Sequence, residues 1–194
     1  MIDKITKNIE QLVNKQFDTK NLQQRGVADK VEKFDCECIS EMNNDELIVE
    51  QATSKRSIED IQIKHNNNLF KIDIKTHDAK DSEFSMPNLI SIDRLRKFYS
   101  SDENYLVYVF IDYVTENDVT TITNVVVNLV EELDWSILAI QNLGKGQLQI
   151  KNMNNELVII KADRTSWMNT LKENALIYYD QLIKKIENYK NDWN

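Results

Sequence analysis

Asp60, Asp73 and Lys75 are the residues whose types and spacing carry chemistry. Residues 57–64 alternate apolar and polar, His65-Asn66-Asn67-Asn68 is a turn cluster, and residues 70–75 alternate again, which together predict a β-hairpin. A turn centred on Asn66-Asn67 sets residue i opposite residue 133 − i, so Asp60 falls opposite Asp73. Cross-strand neighbours have Cβ atoms roughly 4.5–5.5 Å apart, and like charges there repel. A shared hard cation relieves that repulsion, and magnesium is commonly held by one or two carboxylates plus water and phosphate. Side chains alternate along a strand, so Lys75 shares the face of Asp73, while Phe70, Ile72 and Ile74 turn to the core. Metal, two acids and a lysine are a minimal set for phosphodiester hydrolysis. A solvated hairpin face carries the same residue types, so spacing alone leaves both readings open, and a one-residue slip would exchange the faces.

The elements that position this hairpin are legible in outline. Ile5, Ile9, Leu12 and Val13 predict a helix over 3–16, broken before Gly26. Val27, Val31, Phe34 and Cys38 predict a second. Pro87 is expected to open a third through Tyr99, with Ser85 as cap and Arg94, Arg96 and Lys97 off its apolar stripe. The continuous apolar run Tyr105–Ile111 suits a strand covered on both faces. A further strand is expected over 119–127; Gly144 and Gly146 punctuate the stretch before 147–151, and residues 152–155 suggest a turn into 157–160. A long helix follows over 165–189, carrying Trp167, Leu171, Leu182 and Ile186. The pattern is that of one α/β domain over residues 1–194, a mixed sheet flanked by helices.

Several of these segments occur in a telling order. Ile58-Glu59-Asp60, Lys71-Ile72-Asp73-Ile74-Lys75, Met86-Pro87-Asn88-Leu89-Ile90-Ser91 and Asn104-Tyr105-Leu106-Val107-Tyr108-Val109 follow one another as in type II restriction endonucleases. The chain resembles the PD-(D/E)XK superfamily, in particular SwaI and its relatives, over roughly residues 20–115, and more weakly from Arg164. The resemblance implies a restriction endonuclease-like core at about 25–115 and magnesium-dependent cleavage of double-stranded DNA at a short site. It implies that Asp60, Asp73 and the Ile74 carbonyl bind metal and that Lys75 is the catalytic lysine. Many members add a glutamate from an early helix, for which Glu32 is the candidate. The usual proline before the first acid is absent, and Glu59, standing there, is a rival ligand.

Contacts to DNA are expected from the loop 76–88, through Thr76, His77, Lys80, Ser82, Ser85 and Asn88, and from Arg94, Lys145 and Gln147. Gln and Asn pair well with adenine edges. The net charge of −8 opposes nonspecific coating of nucleic acid, but residues 101–140 carry eight acids and no base, so the acidity is expected on a face turned away. An acidic, non-catalytic binding protein or DNA mimic, and a repair nuclease of the same superfamily, are the competing readings. Cys36 and Cys38 cannot make a four-ligand zinc site and are expected as reduced, partly buried thiols. No apolar run reaches the ~18 residues of a membrane span, and the N-terminus lacks a secretory apolar core. The expectation is a soluble protein of the bacterial cytoplasm. Cutting a palindrome on both strands would most simply take a homodimer.

Overall fold

In the computed structural model the central hairpin forms in the expected register: Ile61 faces Ile72, Ile63 faces Phe70 and His65 faces Asn68. The structure describes residues 1–44, 46–52, 54, 57–80, 87–141, 145–151, 157–161 and 163–193. The chain runs α1 (Ile2–Glu10), β1 (Gln16–Asp18), α2 (Gln24–Ser40), β2 (Ile48–Gln51), β3 (Ile61–His65) and β4 (Asn68–Asp78). It continues through β5 (Asn88–Ser91), α3 (Ile92–Phe98), β6 (Asn104–Glu116) and β7 (Val119–Leu129) to a 3-10 turn (Val130–Glu132). Then come β8 (Leu138–Gln141), β9 (Gln147–Ile150) and α4 (Arg164–Asp192).

Six strands form a mixed sheet in the order β1-β7-β6-β4-β3-β2, and β5-β9-β8 form a small second sheet. Only β4 and β6 pair in parallel among these ladders, from Leu69↔Asn104 to Asp78↔Tyr113. The tight turns use residues that tolerate the left-handed region: Asn66 at φ +54° before β4, and Asn117 (+49°) with Asp118 (+64°) between β6 and β7.

The long apolar strand is covered on both faces, as its sequence predicts. Val107, Val109 and Ile111 join Phe70, Ile72 and Ile74 in a core closed by Ile5 and Ile9 of α1 and by Val27 and Val31 of α2. Leu106, Tyr108 and Phe110 point into a second core, closed by Leu95 of α3 and by Trp167 and Leu171 of α4.

Three expectations are corrected. The residues after Pro87 are not helical: Asn88 and Ser91 pair with Gln149 and Gln147, and the helix begins only at Ile92 behind Ser91. Leu89 and Ile90 are both buried, and pairing with β9 outweighs the helical bias of a leading proline. The expected cap Ser85, like Ser82, lies outside the described residues. Gly26 sits inside the first turn of α2 and ends nothing. The first helix, expected to run to residue 16, ends at Glu10.

Gly146 has a structural duty. At φ +100° its carbonyl accepts the Ile92 amide (3.1 Å), and a Cβ there would lie 2.8 Å from Ile92 Cδ1. Among the described residues no helix is long and apolar enough to cross a membrane.

Candidate active site

The ladder between β3 and β4 stops at Ile61↔Ile72. Beyond it the Asp60 amide turns onto the Ile72 carbonyl (2.8 Å), and the Ala52 amide donates to the Asp60 carbonyl (2.8 Å). The Asp60 carboxylate then accepts the Ile74 amide at 2.7 Å, doing for β4 what a backbone carbonyl would do one step further along a ladder. Asp60 is thus held against the strand that carries Asp73 and Lys75, close enough for its charge to act on Asp73.

Asp73 is 9% exposed, and its Oδ2 lies 2.6 Å from Lys75 Nζ. Burial pushes its pKa up to about 7; Lys75 pulls it down and Asp60 pushes it further up. Burial wins because taking the carboxylate out of water penalises its charged form more than one ammonium favours it.

From the other side α2 brings Glu32. Burial raises its pKa, the Asp60 and Asp29 charges add to that, and Lys75 opposes it. Glu32 therefore lies in the electrostatic reach of both Asp60 and Lys75. Glu59 does something else: it ion-pairs with Lys71 (2.9 Å), whose ammonium also lies 5.7 Å over the Phe98 ring.

One residue of this neighbourhood escaped the sequence reading. Asp35 is wholly buried, and neither carboxylate oxygen has a hydrogen-bond partner among the described residues. Burial pushes its pKa up to about 7, with Asp60 and Glu32 adding to the rise. Its signal was there: Val27, Val31, Asp35 and Cys38 form a core-facing stripe with an acid in it. The same surroundings push the half-buried Cys36 thiol up to about 12, chiefly through burial, while the buried Cys38 thiol meets the Asn8 carbonyl. Both cysteines are free, as expected. No group of three or more His, Cys, Asp or Glu residues among those described is gathered closely enough to cage a metal.

The candidate DNA contacts divide. Thr76 and His77 belong to β4 rather than to a loop, because the parallel ladder to β6 carries the strand to Asp78. His77 is 8% exposed and its Nδ1 lies 3.0 Å from Asp112 Oδ1, so it faces protein. Lys80 is exposed and paired with Glu116. Asn88 is exposed on β5, and its side-chain oxygen accepts the amide of the buried Gln149, a fixing partner that the sequence did not single out. Arg94 on α3 and Lys145 are exposed, and Gln147 is half-buried on β9.

The base-free stretch 101–140 is not one outward face. Glu131 is buried, receiving the Tyr99 hydroxyl (2.6 Å) and Arg164 Nε (2.9 Å). Glu132 accepts the Leu129 amide (2.8 Å), and Asp112 and Glu116 are engaged as above. Several of these acids hold the fold together, because the stretch contains the long strands β6 and β7 and the 3-10 turn after them.

A mixed sheet between helices, a hairpin carrying two acids and a lysine, and a parallel crossover behind it form a recognisable arrangement. No family model matches the chain, and no curated protein does. Among solved structures it is similar to the NlaIV restriction endonuclease, with a TM-score of 0.55 and 11% identity, covering 82% of this chain and 74% of that one. The fold is restriction endonuclease-like. At that identity the restriction endonuclease-like fold is what is shared, and the side chains of the site stand on their own geometry.

Proposed function

We propose that the protein is a type II restriction endonuclease, a single nuclease domain over residues 1–194 with its catalytic core at about 25–115. It would hydrolyse phosphodiester bonds of double-stranded DNA at a short specific site, with magnesium, in the bacterial cytoplasm. One observation carries the reading: Asp60, Asp73 and Lys75 meet at the end of one hairpin, in a restriction endonuclease-like fold. The finer kinship with SwaI and its relatives rests on the segment order in the sequence.

The residues fit a magnesium ion. Asp60 is tied to β4 through the Ile74 amide and Asp73 is paired with Lys75, so two acids and one ammonium lie together there. An all-oxygen set of one or two carboxylates completed by water and phosphate suits that ion. Asp60 and Asp73 would hold it, with the Ile74 carbonyl as a further oxygen. When bound it supplies positive charge that offsets the carboxylates and polarises the scissile phosphate.

The chain's own groups do the rest. Lys75 Nζ, anchored by Asp73, orients the water that attacks phosphorus and offsets the charge gathering on the phosphoryl oxygens. Glu32 completes the acidic wall on the α2 side and assists in positioning. Arg94, Lys145 and Lys80 supply phosphate contacts, and Asn88 and Gln147, with Thr76 at the strand end, face the bases or backbone. His77 is the weakest of the expected contacts, since it is spent on Asp112.

Incubation with plasmid DNA and magnesium tests the proposal. Discrete fragments, absent with a chelator, are the expected result. Diffuse degradation would favour a repair or structure-directed nuclease, and no cutting in any divalent cation would remove the catalytic reading.

A further inference from the structure

Asn88 of β5 and Gln149 of β9 stand opposite one another in the small sheet, and their side chains are joined: Gln149 Nε2 donates to Asn88 Oδ1. The two differ in setting. Asn88 is exposed, whereas Gln149 is 7% exposed and lies between Leu148 and Ile150, both wholly buried. The Ile150 amide donates to the Pro87 carbonyl (3.2 Å), so the backbone beside Asn88 is fixed by the same strand. On its other side Gln149 faces Ala139 of β8, whose side chain has no polar group to compete for the carboxamide.

The corner made by β5 and α3 lies on the working side of the large sheet. Leu89, Ile90 and Leu95 pack in the core that holds Tyr108, and Tyr108 is the ladder partner of Asp73. Ile72 and Ile74 belong to the opposite core, so by strand alternation Asp73 and Lys75 turn towards the β5 side.

A carboxamide turns over by half a rotation about its last bond, so an unattended asparagine offers oxygen or amino group alike. We infer that Gln149 is a positioning residue for base recognition, holding the Asn88 oxygen inward and its Nδ2 hydrogens outward, so that Asn88 selects a hydrogen-bond acceptor on the base edge it meets. In the major groove guanine offers O6 and N7 and thymine offers O4, whereas cytosine offers an amino donor. Adenine pairs with asparagine through oxygen and amino group presented together, and an oxygen turned onto β9 is not presented. The residue type alone pointed to adenine; the Gln149 contact points to guanine or thymine. The inference rests on the proposed function, because it needs duplex DNA within reach of β5.

The first measurement needs neither DNA nor metal. Hydrogen exchange of side-chain amides, followed by nuclear magnetic resonance on the free protein, should show one slow Gln149 Nε2 hydrogen and fast Asn88 Nδ2 hydrogens. Asn88→Ala, a change at an exposed position, should release the slow one. Slow Asn88 hydrogens beside fast Gln149 hydrogens would reveal the reverse polarity and overturn the inference. The second is selection of calcium-bound duplexes from a randomised pool. The wild type should select guanine or thymine at one position. Gln149→Met, similar in shape but without a donor, should lose that preference by roughly tenfold there and leave the other positions unchanged. Gln149→Glu at pH 8 only accepts, so it should turn the Asn88 oxygen outward and move the preference to cytosine or adenine. Should that variant not fold, Asn88→Asp places an oxygen outward at an exposed position and should cause the same shift. An unchanged preference in Gln149→Met overturns the inference, as does a uniform loss over all sequences with a flatter salt dependence, the mark of a phosphate contact. Cutting by Gln149→Met with wild-type selectivity would leave the nuclease reading standing without the inference. A wild type that selects guanine or thymine through Gln149 but never cuts would leave the inference standing without the nuclease.

Discussion

The Asp60 carboxylate receives the amide proton of Ile74, 2.7 Å away, and this one contact ties the first acid to the strand that carries the second acid and the lysine. Hydrogen bonds to a charged acceptor are worth about 1.5–3 kcal/mol. Asp60→Ala should therefore lose cleavage and stability together. Asp60→Asn, whose side-chain carbonyl can still accept from Ile74, should lose cleavage while keeping most of its resistance to urea. Equal destabilisation in both variants would count against the contact.

Lys75→Ala should reduce cleavage by about 10²–10⁴-fold, the range for one general acid-base or orienting group. DNA binding supported by calcium should survive, because Asp60 and Asp73 remain. A single-turnover assay beside a calcium binding isotherm separates the two effects, and full activity in the variant would remove Lys75 from the chemistry.

Stability should fall as pH rises through neutrality in metal-free protein. Asp35 and Asp73 are raised from 3.8 to about 7 in the fold. Between those values the folded chain holds protons that the unfolded chain has released, so each group's contribution is full below about pH 4 and is lost towards pH 7. Urea midpoints at pH 5 and pH 8 should differ, and Asp35→Asn should flatten the difference. An unchanged difference in that variant would show that Asp35 is ionised throughout.

Arg164 lies between the rings of Tyr99 and Tyr105, 4.4 and 4.6 Å from their centroids, and is paired with the buried Glu131. Arg164→Ala strands that carboxylate and should cost about 3–5 kcal/mol. Glu131→Gln keeps acceptor geometry and should cost less. Thermal melts of the two variants check the order.

Phosphate contacts have their own signature. Arg94→Ala and Lys145→Ala should each flatten the dependence of log K on log salt by about 0.9 in calcium-supported binding. Lys80→Ala should do less than Lys145→Ala, because Lys80 already answers Glu116. Equal slopes for all three would show that the Glu116 pair opens on DNA.

The hairpin was legible because its register follows from a four-residue turn and strict alternation, both local. The long apolar strand was legible for a similar reason: a run with no polar interruption fits only between two cores. What failed depends on distant partners. Residues 88–91 read as a helix start until β9, nearly sixty residues on, pairs with them. Strand β1 is three residues without a period, defined only by β7. Asp35 was missed because the stripes through Phe34 and through Asp35 share Val27, Val31 and Cys38, and only the position of the sheet shows which of the two points inward. His77 was read as loop because nothing in its own segment reveals how far β6 extends.

The ladder between β1 and β7 joins Gln16 to Thr121, and Thr19 meets Thr120 across the same seam. A growing chain therefore cannot seat its first strand until the start of β7, more than a hundred residues on, has emerged. The hairpin with its two acids, by contrast, closes from neighbours in sequence as soon as it emerges. Local pairs form quickly and distant ones slowly. The nascent protein would display an acidic hairpin well before it has the sheet and flanking helices needed to grip DNA.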